Sequence, residues 1–495
     1  MKKLDQFIST SKISTVTFIF LAMAPLVVVW YGMYIYNFNN VDNVFLYILQ
    51  VIADTIAMVI LLGLWLTILI DMVMERHHRV DHYQDVRKFI YTRPTVDIFI
   101  TVYNEPIALV KKTILAAINV DYEHRVIVLD DGKSDRLKKL TEELGVNYIR
   151  RKNNKNAKAG NVNNALKHFR ADFFVILDAD HIPKKDLLIV LLPFMANEKM
   201  AMVQSPQAYY NTDNFIASGT AQAQDVFYRY ICPSKNITNS AFSVGTNVLY
   251  RRKAIDDIGG MALSNSEDIW TTFLLHKKGW QTIFVNKVLA VGLAPDTIVA
   301  FFKQQRRWAR GGLEILFQNN PLYTKSLTLD QKLQYFISNS FFLVGIPILA
   351  YILMPIIFLF FGMKPLLIRD GAVWLLHYIP YFVLYFTLTW LLLGQSIRLS
   401  TMSTALASFF PYLKGLFSVI FNTEEKWIAT SSRKSKVDPI MKWIWPHVLL
   451  LFLSVFSLIV GWYNVLEFWA TFFNSIWVFL NMFLLANFLT RAKFN

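Results

Sequence analysis

Asp178 and Asp180 are a pair of carboxylates whose spacing could serve chemistry. They end an apolar run, and side chains two apart on a strand point to the same face. Paired carboxylate oxygens suit a hard cation such as Mg²⁺ or Mn²⁺, which could offset the charge of a departing diphosphate. The pair is therefore a candidate metal site. A solvated turn explains two aspartates at this spacing at least as well.

A third carboxylate, Asp268, follows Ser266 and Glu267 and precedes an apolar run that could begin a helix. Within hydrogen-bond reach of an attacking hydroxyl, Asp268 could accept its proton as a general base. Aspartate is also favoured at helix N-termini, so a plain helix cap is the competing interpretation. The residues alone leave both open.

The stretch 304–308 combines amides, guanidinium groups and an indole. Trp308 could stack on the apolar face of a sugar ring, and Gln304 and Arg307 could bind hydroxyls or phosphate. Arg306 and Arg310 lie on the same stretch. A basic helix at a membrane surface would therefore also explain the cluster.

Two further segments could contact a nucleotide. Asp130 and Asp131 could present a carboxylate to a uridine or a ribose, with Gly132 allowing a tight turn. Lys158 could place a charge on a phosphate, and Gly160 could allow close approach of the backbone. The segment lacks the full phosphate-loop spacing, so the interpretation as an NTPase fails.

Short apolar runs at 96–102, 125–129 and 173–177 precede polar residues, and helix-like segments separate them. This alternation is typical of an α/β domain with a largely parallel sheet. Ligands of such sheets lie beyond the carboxyl ends of the strands. The pattern therefore predicts that residues 103–105, 130–132 and 178–180 share one edge of the sheet.

The composition indicates a membrane protein. Of the 495 residues, 54% are apolar and 15% aromatic, which is too apolar for an ordinary soluble enzyme. The formal net charge is +15, but its basic residues cluster beside apolar spans, so we expect no nucleic-acid partner. Cys232 is the single cysteine, which excludes an intramolecular disulfide. The N-terminal apolar run lacks a small-residue cleavage site and predicts a retained anchor.

Six segments reach the roughly 20 apolar residues that a helix needs to cross a bilayer. They are residues 16–36, 44–70, 336–361, 374–394, 444–463 and 468–489. Two precede the polar block and four follow it, which places the block and both termini on one side. Basic residues at 76–79 and 433–436 assign that side to the cytoplasm. Asp54 interrupts the second span, so we expect it to face protein or water.

These patterns divide the chain into three parts in a cell membrane. Residues 1–78 would hold two transmembrane helices, and residues 79–331 the cytoplasmic α/β domain with a membrane-surface helix at 297–318. Residues 332–495 would hold four transmembrane helices, with an amphipathic and loop segment at 397–443. A second amphipathic stripe lies within that segment, at 399–417.

Taken together, the motifs resemble the processive family 2 glycosyltransferases and are most similar to bacterial cellulose synthase catalytic subunits. The resemblance covers residues 95–321, and beyond them only the layout of the spans. It is carried by Asp130-Asp131-Gly132, Lys158-Ala159-Gly160-Asn161, Asp178-Ala179-Asp180-His181, Ser266-Glu267-Asp268, Gly279-Trp280 and Gln304-Gln305-Arg306-Arg307-Trp308.

The resemblance implies a GT-A domain and a channel formed by the spans. The enzyme would polymerise glucose from UDP-glucose with inversion, using Mg²⁺ or Mn²⁺, and secrete a β-glucan through that channel. Its implied residues are: catalytic, Asp268 as base with Glu267; metal, Asp178 and Asp180; uridine, Asp130; other substrate contacts, Thr101, Tyr103, Glu105, Asp131, Lys158, Gly160, Gln304, Arg307 and Trp308; acceptor, Phe242, Gly245, Thr246 and Trp308; gating loop, Trp427, Thr430 and Arg433.

Three departures from the family pattern leave details open. Ser266 replaces a threonine, the stretch 242–246 departs from the acceptor pattern Phe-Phe-Cys-Gly-Ser, and Arg433 replaces the gating-loop lysine. The glycosidic linkage is therefore not predicted. The cyclic-di-GMP receptor domain of many relatives is not part of this sequence, so we do not expect activation by that nucleotide within it.

Three other functions are alternatives to a β-glucan synthase. A hyaluronan- or chitin-type synthase would use N-acetylated UDP-sugars. A non-processive lipid-phosphate sugar transferase has no need for the 304–308 cluster. A transporter with a soluble regulatory domain is disfavoured, because the spans show no repeat symmetry. The expected partners are the UDP-sugar, the growing polysaccharide and the lipid bilayer, with accessory secretion subunits or a homo-oligomer left open.

Overall fold

The computed structural model describes residues 13–78, 89–264, 266–394, 397–423, 439–465 and 467–492. Two long helices come first, α1 (Thr15–Ile35) and α2 (Val44–His78). Ser14 begins α1, because its side chain accepts a hydrogen bond from the Thr17 backbone N–H at 3.1 Å. Such capping satisfies one of the free N–H groups at a helix start.

A seven-stranded sheet follows, in the order β3-β2-β1-β4-β7-β6-β8. Its strands are β1 (Val96–Val102), β2 (Arg125–Asp130), β3 (Asn147–Ile149), β4 (Phe173–Asp178), β6 (Met200–Gln204), β7 (Val248–Arg251) and β8 (Gln281–Phe284). Strands β1 to β4 pair in parallel, and β7 is antiparallel to both of its neighbours. A separate pair joins β5 (Ile182–Pro183) and β9 (Ala290–Val291). The predicted α/β domain with a largely parallel sheet is confirmed.

Along the described chain, eight α-helices lie between β1 and β8. They are α3 (Ile107–Ile118), α4 (Asp135–Glu143), α5 (Ala157–His168), α6 (Leu187–Leu191), α7 (Phe215–Val226), α8 (Cys232–Ser234), α9 (Arg252–Asp257) and α10 (Glu267–Lys277). Successive strand residues enter opposite cores: Ile98 packs with α3 residues on one face, and Phe99 packs with α5 residues on the other. Burial on both faces explains why these strands are apolar without interruption.

Eight helices make up the rest of the described chain. They are α11 (Ile298–Gln318), α12 (Leu329–Ser340), α13 (Gly345–Phe361), α14 (Gly371–Leu392), α15 (Leu399–Ala407), α16 (Phe409–Ile420), α17 (Met441–Tyr463) and α18 (Phe468–Arg491). The helix predicted at 297–318 is α11, and Thr297 caps it through the Ala300 backbone N–H. The boundary predicted between residues 331 and 332 falls inside α12.

Seven helical segments in the described residues are long and apolar enough to cross a membrane. Six of them overlap the predicted spans, and the seventh is Leu399–Ile420. This segment consists of two helices of 9 and 12 residues, each shorter than the roughly 20 residues that crossing requires. Within this segment α15 packs against α7 and α18, and α16 packs against α11 and α13, so the segment contacts both the sheet domain and the predicted spans. The predicted surface position of stripe 399–417 stays a prediction.

Asp54 in α2 is enclosed by protein, as predicted, and is 3% exposed. Its carboxylate accepts hydrogen bonds from Tyr31 Oη at 3.1 Å, Gln50 Nε2 at 2.6 Å and Tyr351 Oη at 2.5 Å. The donors come from α1, α2 and α13. A carboxylate in an apolar region needs such partners, so this cluster ties three spans together.

Candidate active site

The ends of β1 and β4 and the start of α5 meet at one point. Thr101 pairs in register with Asp178, and its hydroxyl donates to Asp178 Oδ1 at 3.3 Å. The ammonium of Lys158 donates to the same carboxylate oxygen and also to the Gly245 carbonyl, the latter at 2.7 Å. Burial alone would raise the pKa of Asp178, but the Lys158 charge holds that pKa below its ordinary value.

Asp130 is fully buried and holds the turn that follows β2. Its carboxylate accepts from the backbone N–H groups of Gly132, Lys133 and Ser134 at 2.7, 3.0 and 2.8 Å. Tyr148 Oη donates to it at 2.7 Å. These four bonds use the four lone-pair positions of a carboxylate. The contact predicted between Asp130 and uridine therefore stays a prediction. In the structure, the Asp130 carboxylate stabilises the turn after β2.

Asp131 is paired with Arg151, a residue that the sequence analysis did not single out. The Nε and Nη2 atoms of Arg151 each lie 2.6 Å from one Asp131 oxygen. Burial raises the pKa of Asp131, and the Arg151 charge opposes this shift. Asn154 Nδ2 also donates to the Asp131 carbonyl at 2.7 Å. The loop after β3 thus fixes Asp131 at the carboxyl end of β2.

Gly160 faces this same loop. A β-carbon at Gly160 would lie 2.2 Å from the Lys155 carbonyl and 2.5 Å from Arg151 Nη1. Only glycine therefore lets the loop fold against α5. The predicted contact of Gly160 with substrate stays a prediction.

Asp178, Asp180 and His181 form the candidate metal cluster, with one ligand atom from each within 4.8 Å of the others. His181 Nδ1 lies 2.9 Å from Asp180 Oδ1, and this carboxylate raises the pKa of His181 against the effect of burial. His181 Nε2 is buried without a hydrogen-bond partner among the described residues. Two carboxylates and an imidazole fit a divalent cation such as Mg²⁺ or Mn²⁺.

Glu267 and Asp268 lie in the first turn of α10, where Ser266 holds the N-cap position. Asp268 therefore does not occupy the N-cap position, but its Oδ1 accepts a hydrogen bond from the Ile269 backbone N–H of the first turn at 2.9 Å. A β-carbon on Gly245, whose φ is +91°, would lie 3.1 Å from Asp268 Oδ2, so this carboxylate lies against the loop predicted to bind the acceptor. Burial raises the pKa of both carboxylates, against the lowering effect of Lys158 and Arg307. The pKa of each carboxylate is therefore raised from its ordinary value.

The acceptor loop, residues 242–247, is held by Gln204 at the end of β6. Gln204 is fully buried; its Nε2 donates to the Thr246 carbonyl at 2.8 Å and its Oε1 accepts from the Val244 N–H at 3.0 Å. Thr246 Oγ1 in turn accepts from the Asp178 N–H at 3.0 Å. The sequence analysis missed Gln204, although it ends an apolar strand in the same way as Asp178. Phe242, the first residue of this loop, is buried.

Helix α11 brings the 304–308 cluster to the carboxylates. A β-carbon at Gly311 would lie 1.6 Å from Ser266 Oγ, so α11 touches the start of α10 at this glycine. The Arg307 charge acts on the pKa of Asp178 and of Asp268. Gln304 Oε1 is buried without a partner in the part of the chain that is described, and Trp308 is half-buried. The predicted cluster and the predicted carboxylates thus lie together.

Tyr209 and Gln224 add a polar wall that the sequence analysis also missed. Tyr209 Oη lies 2.8 Å from Gln224 Oε1 and 2.9 Å from Gln207 Oε1, and its single proton is donated to one of these oxygens at a time. Burial raises the pKa of Tyr209, and the neighbouring Asp180 charge adds to the shift. Gln224 Nε2 is buried with no partner within the described ranges.

Two further sets of predicted residues are Glu105 and the gating loop. Glu105 turns back on its own loop, where its carboxylate accepts from the Tyr103 N–H at 2.5 Å. The gating-loop residues Trp427, Thr430 and Arg433 lie outside the described residues. The last described residue before that segment, Thr423, is bound through its carbonyl by Arg310 Nη1 at 2.5 Å.

Comparison with known proteins gives matches along most of the chain. The Glycosyl transferase family 2 model matches residues 97–259, and the Cellulose synthase model matches residues 196–488. Cellulose synthase 1 catalytic subunit [UDP-forming] of Komagataeibacter xylinus is 36% identical over 279 residues, covering 54% of this chain and 37% of that protein. The cellulose synthase catalytic subunit [UDP-forming] of Pseudomonas fluorescens is also 36% identical, covering 54% of this chain and 38% of its own. The chain thus spans little more than a third of these relatives.

A solved structure shares the fold. The mannosyltransferase PcManGT from Pyrobaculum calidifontis, in complex with GDP-Man and Mn²⁺, superposes with a TM-score of 0.55 at 15% identity. The match covers 76% of this chain and 100% of the other. The sheet domain is therefore GT-A-like.

Proposed function

The chain belongs to the cellulose synthase family, and we propose that it polymerises glucose from UDP-glucose into a β-glucan with inversion at the anomeric carbon. One observation supports this most. Asp268 lies against the acceptor loop, while Lys158 and Arg307 act electrostatically on both Asp268 and Asp178. A proton acceptor, a diphosphate-binding edge and an acceptor platform therefore meet at one place.

In the proposed reaction, an acceptor hydroxyl attacks the anomeric carbon of the donor glucose. The bond from that carbon to the diphosphate breaks, and the hydroxyl proton passes to Asp268. Burial raises the pKa of Asp268, which makes it a stronger base than an exposed aspartate. Lys158 and Arg307 would stabilise the charge that develops on the departing UDP.

Asp178, Asp180 and His181 would hold a divalent cation, either Mg²⁺ or Mn²⁺. When bound, the cation would offset the diphosphate charge. Lys158 already contacts one Asp178 oxygen, which leaves the other oxygen and the Asp180 carboxylate for the ion.

The membrane part would carry the polymer across the bilayer. In this proposal the GT-A domain and both termini are cytoplasmic, six helices span the membrane, and α15 and α16 lie at its surface. Trp308 on α11 would stack on the terminal sugar where the chain enters the spans. The proposed regions are residues 1–78, 79–331 and 332–495, with α12 shared between the last two.

Sugar incorporation by the purified full chain in nanodiscs tests the activity. We expect polymer from UDP-glucose and not from UDP-N-acetylglucosamine, and linkage analysis then identifies the bond. Asp268→Asn should lower turnover by about 100- to 10,000-fold while UDP binding persists. Asp213→Asn, at an exposed carboxylate, is the matched control. Turnover of Asp268→Asn within a few-fold of wild type would refute the assignment.

Sealed inside-out vesicles test the translocation. With UDP-glucose outside, the product should resist an added glucanase until detergent opens the vesicles. Digestion without detergent would mean that the polymer is released on the cytoplasmic face, and the channel would then be excluded.

A further inference from the structure

A basic cleft lies beside the sheet, away from the carboxylates. It has a volume of about 1310 Å³ and is bounded by β3 with the loop after it, the C-terminal half of α5, and α9. Seven lysine and arginine residues line it, against one carboxylate, that of Asp256. Such an excess of one charge in a concave surface concentrates ions of the opposite sign.

Three of the seven basic side chains have structural partners. Arg150 Nη1 lies 3.0 Å from Asp135 Oδ1, and Arg151 is bidentate to Asp131. Arg252 donates to Asp256 and to the carbonyls of Phe169 and Leu166. The charged groups of these three residues are therefore bound by other groups of the protein.

The other four are Lys152, Lys155, Lys167 and Arg170. All four are exposed, and their charged groups form no hydrogen bond or ion pair with any described residue. Two project from the loop after β3 and two from the end of α5 and the residues after it, so they stand on different walls. An anion with several charges could contact both walls at once.

The cleft is separate from the active site but shares a loop with it. Arg151 and Asn154 hold Asp131 on the nucleotide side, while Lys152 and Lys155 line the cleft. The loop ends at Asn156 and Ala157, whose φ angles are +61° and +42°. Non-glycine residues adopt this left-handed region only when the surroundings impose it, so contacts on either side of the loop bear on its conformation.

Geometry favours a soluble ligand over a lipid headgroup. Besides α14, α17 and α18, the elements that contact the first transmembrane pair and α13 are α8, α12 and α16, with the segments 227–231, 235–238 and 341–344. None of them lines the cleft. The charged groups of the cleft that have no partner among the described residues are ammonium and guanidinium groups, which are strong donors to phosphate oxygens. A soluble ligand of the cleft would therefore carry phosphate groups.

We propose that this cleft binds a soluble, phosphate-rich anion, such as a nucleoside triphosphate or a polyphosphate, as a regulator. By bridging the loop and α5, the anion would order the loop that fixes Asp131. It would thereby change the affinity of the active site for UDP. The binding site is independent of the proposed function, whereas the coupling rests on it.

Binding of ATP and of inorganic tripolyphosphate to the full chain in nanodiscs tests the site. The variant Lys167→Glu/Arg170→Glu reverses two charges on the α5 wall. Lys111→Glu/Lys112→Glu makes the same charge change on exposed positions of α3, which packs on the opposite face of the sheet. Because charged hydrogen bonds contribute strongly, we expect at least about tenfold weaker binding in the α5 variant and unchanged binding in the α3 control.

Three results would overturn the site: no binding at millimolar anion, equal weakening in both variants, or equal affinity in all three proteins. Binding of phosphatidylglycerol vesicles through the same residues without binding of either soluble anion would instead assign the cleft to lipid. The basal rate of sugar incorporation without anion should be the same in all three proteins, which checks folding.

The coupling is measured as the UDP dissociation constant with and without tripolyphosphate. The anion competes at the active site in every variant, so the informative quantity is the difference between wild type and the α5 variant. Because coupled ligands shift each other's affinity, we expect a difference of at least about twofold. An identical response would overturn the coupling, and failure of UDP binding in all variants would count against the proposed function instead.

Discussion

Gly311→Ala is the substitution whose effect follows most directly from the structure. The new β-carbon would lie 1.6 Å from Ser266 Oγ and 2.3 Å from Ser266 Cβ. Rotating the serine hydroxyl relieves the first contact but not the second, because the backbone fixes Cβ. To reach 3.0 Å, below which β-carbon contacts essentially do not occur, the two backbones must separate by about 0.7 Å.

This separation moves the start of α10 away from α11. Glu267 and Asp268 lie in that first turn, so they move relative to Arg307. Overpacking of this kind costs about 1–3 kcal/mol of stability, and a misplacement near 1 Å can lower a rate about 100-fold. We therefore expect turnover of UDP-glucose to fall by roughly 10- to 100-fold, with little change in UDP affinity.

Initial rates of UDP release, together with thermal unfolding, measure the effect. Gly371→Ala is the control, because a β-carbon there meets nothing within 4 Å. Ser266→Gly in the Gly311→Ala background removes the clashing side chain, which makes no capping hydrogen bond, and should restore much of the rate. A Gly311→Ala enzyme with the wild-type rate, or a loss that Ser266→Gly does not relieve, would refute this reasoning.

Three further predictions concern the same site. EDTA should abolish synthesis and Mg²⁺ or Mn²⁺ restore it, whereas full activity of wild type in chelator would make Asp178 and Asp180 structural. Trp308→Ala should shorten the polymer, measured by size-exclusion chromatography, more than it weakens UDP binding; unchanged length would contradict the stacking role. Because burial raises the pKa of Asp268 and the base must be ionised, kcat/KM should rise with pH above the ordinary carboxylate range near 4. An acidic midpoint of the kcat/KM profile at or below about 4, the ordinary aspartate value, contradicts a base with a raised pKa.

The central strands and their polar ends could be predicted because the signal is local. The runs predicted at 96–102, 125–129 and 173–177 match β1, β2 and β4 to within one residue. A buried strand must be apolar along its length, and the first polar residue after it marks the edge of the sheet. The site at that edge followed from the same pattern.

The partners of those polar residues could not be predicted. Arg151 reaches Asp131 across a loop, and Gln204 reaches Thr246 because β7 runs antiparallel between β4 and β6. Local periodicity carries no information about such pairings, which depend on strand order. The same limit applies to the four hydrogen bonds by which Asp130 holds the turn after β2.

The boundary between the sheet domain and the membrane part, predicted between residues 331 and 332, could not be placed from the sequence pattern either, and the reason is physical. Lys235 is 1% exposed, and its ammonium donates to Gln334 Oε1 at 2.7 Å in α12. Gln334 Nε2 donates in turn to Thr67 Oγ1 of α2 at 2.9 Å, and the same ammonium lies 5.6 Å from the ring centroid of Phe242. A buried charge is stable only with such partners, so the acceptor loop, the first half of the third span and α2 must fold as one unit. Composition changes gradually along α12, whereas this network ties its polar half to the active site.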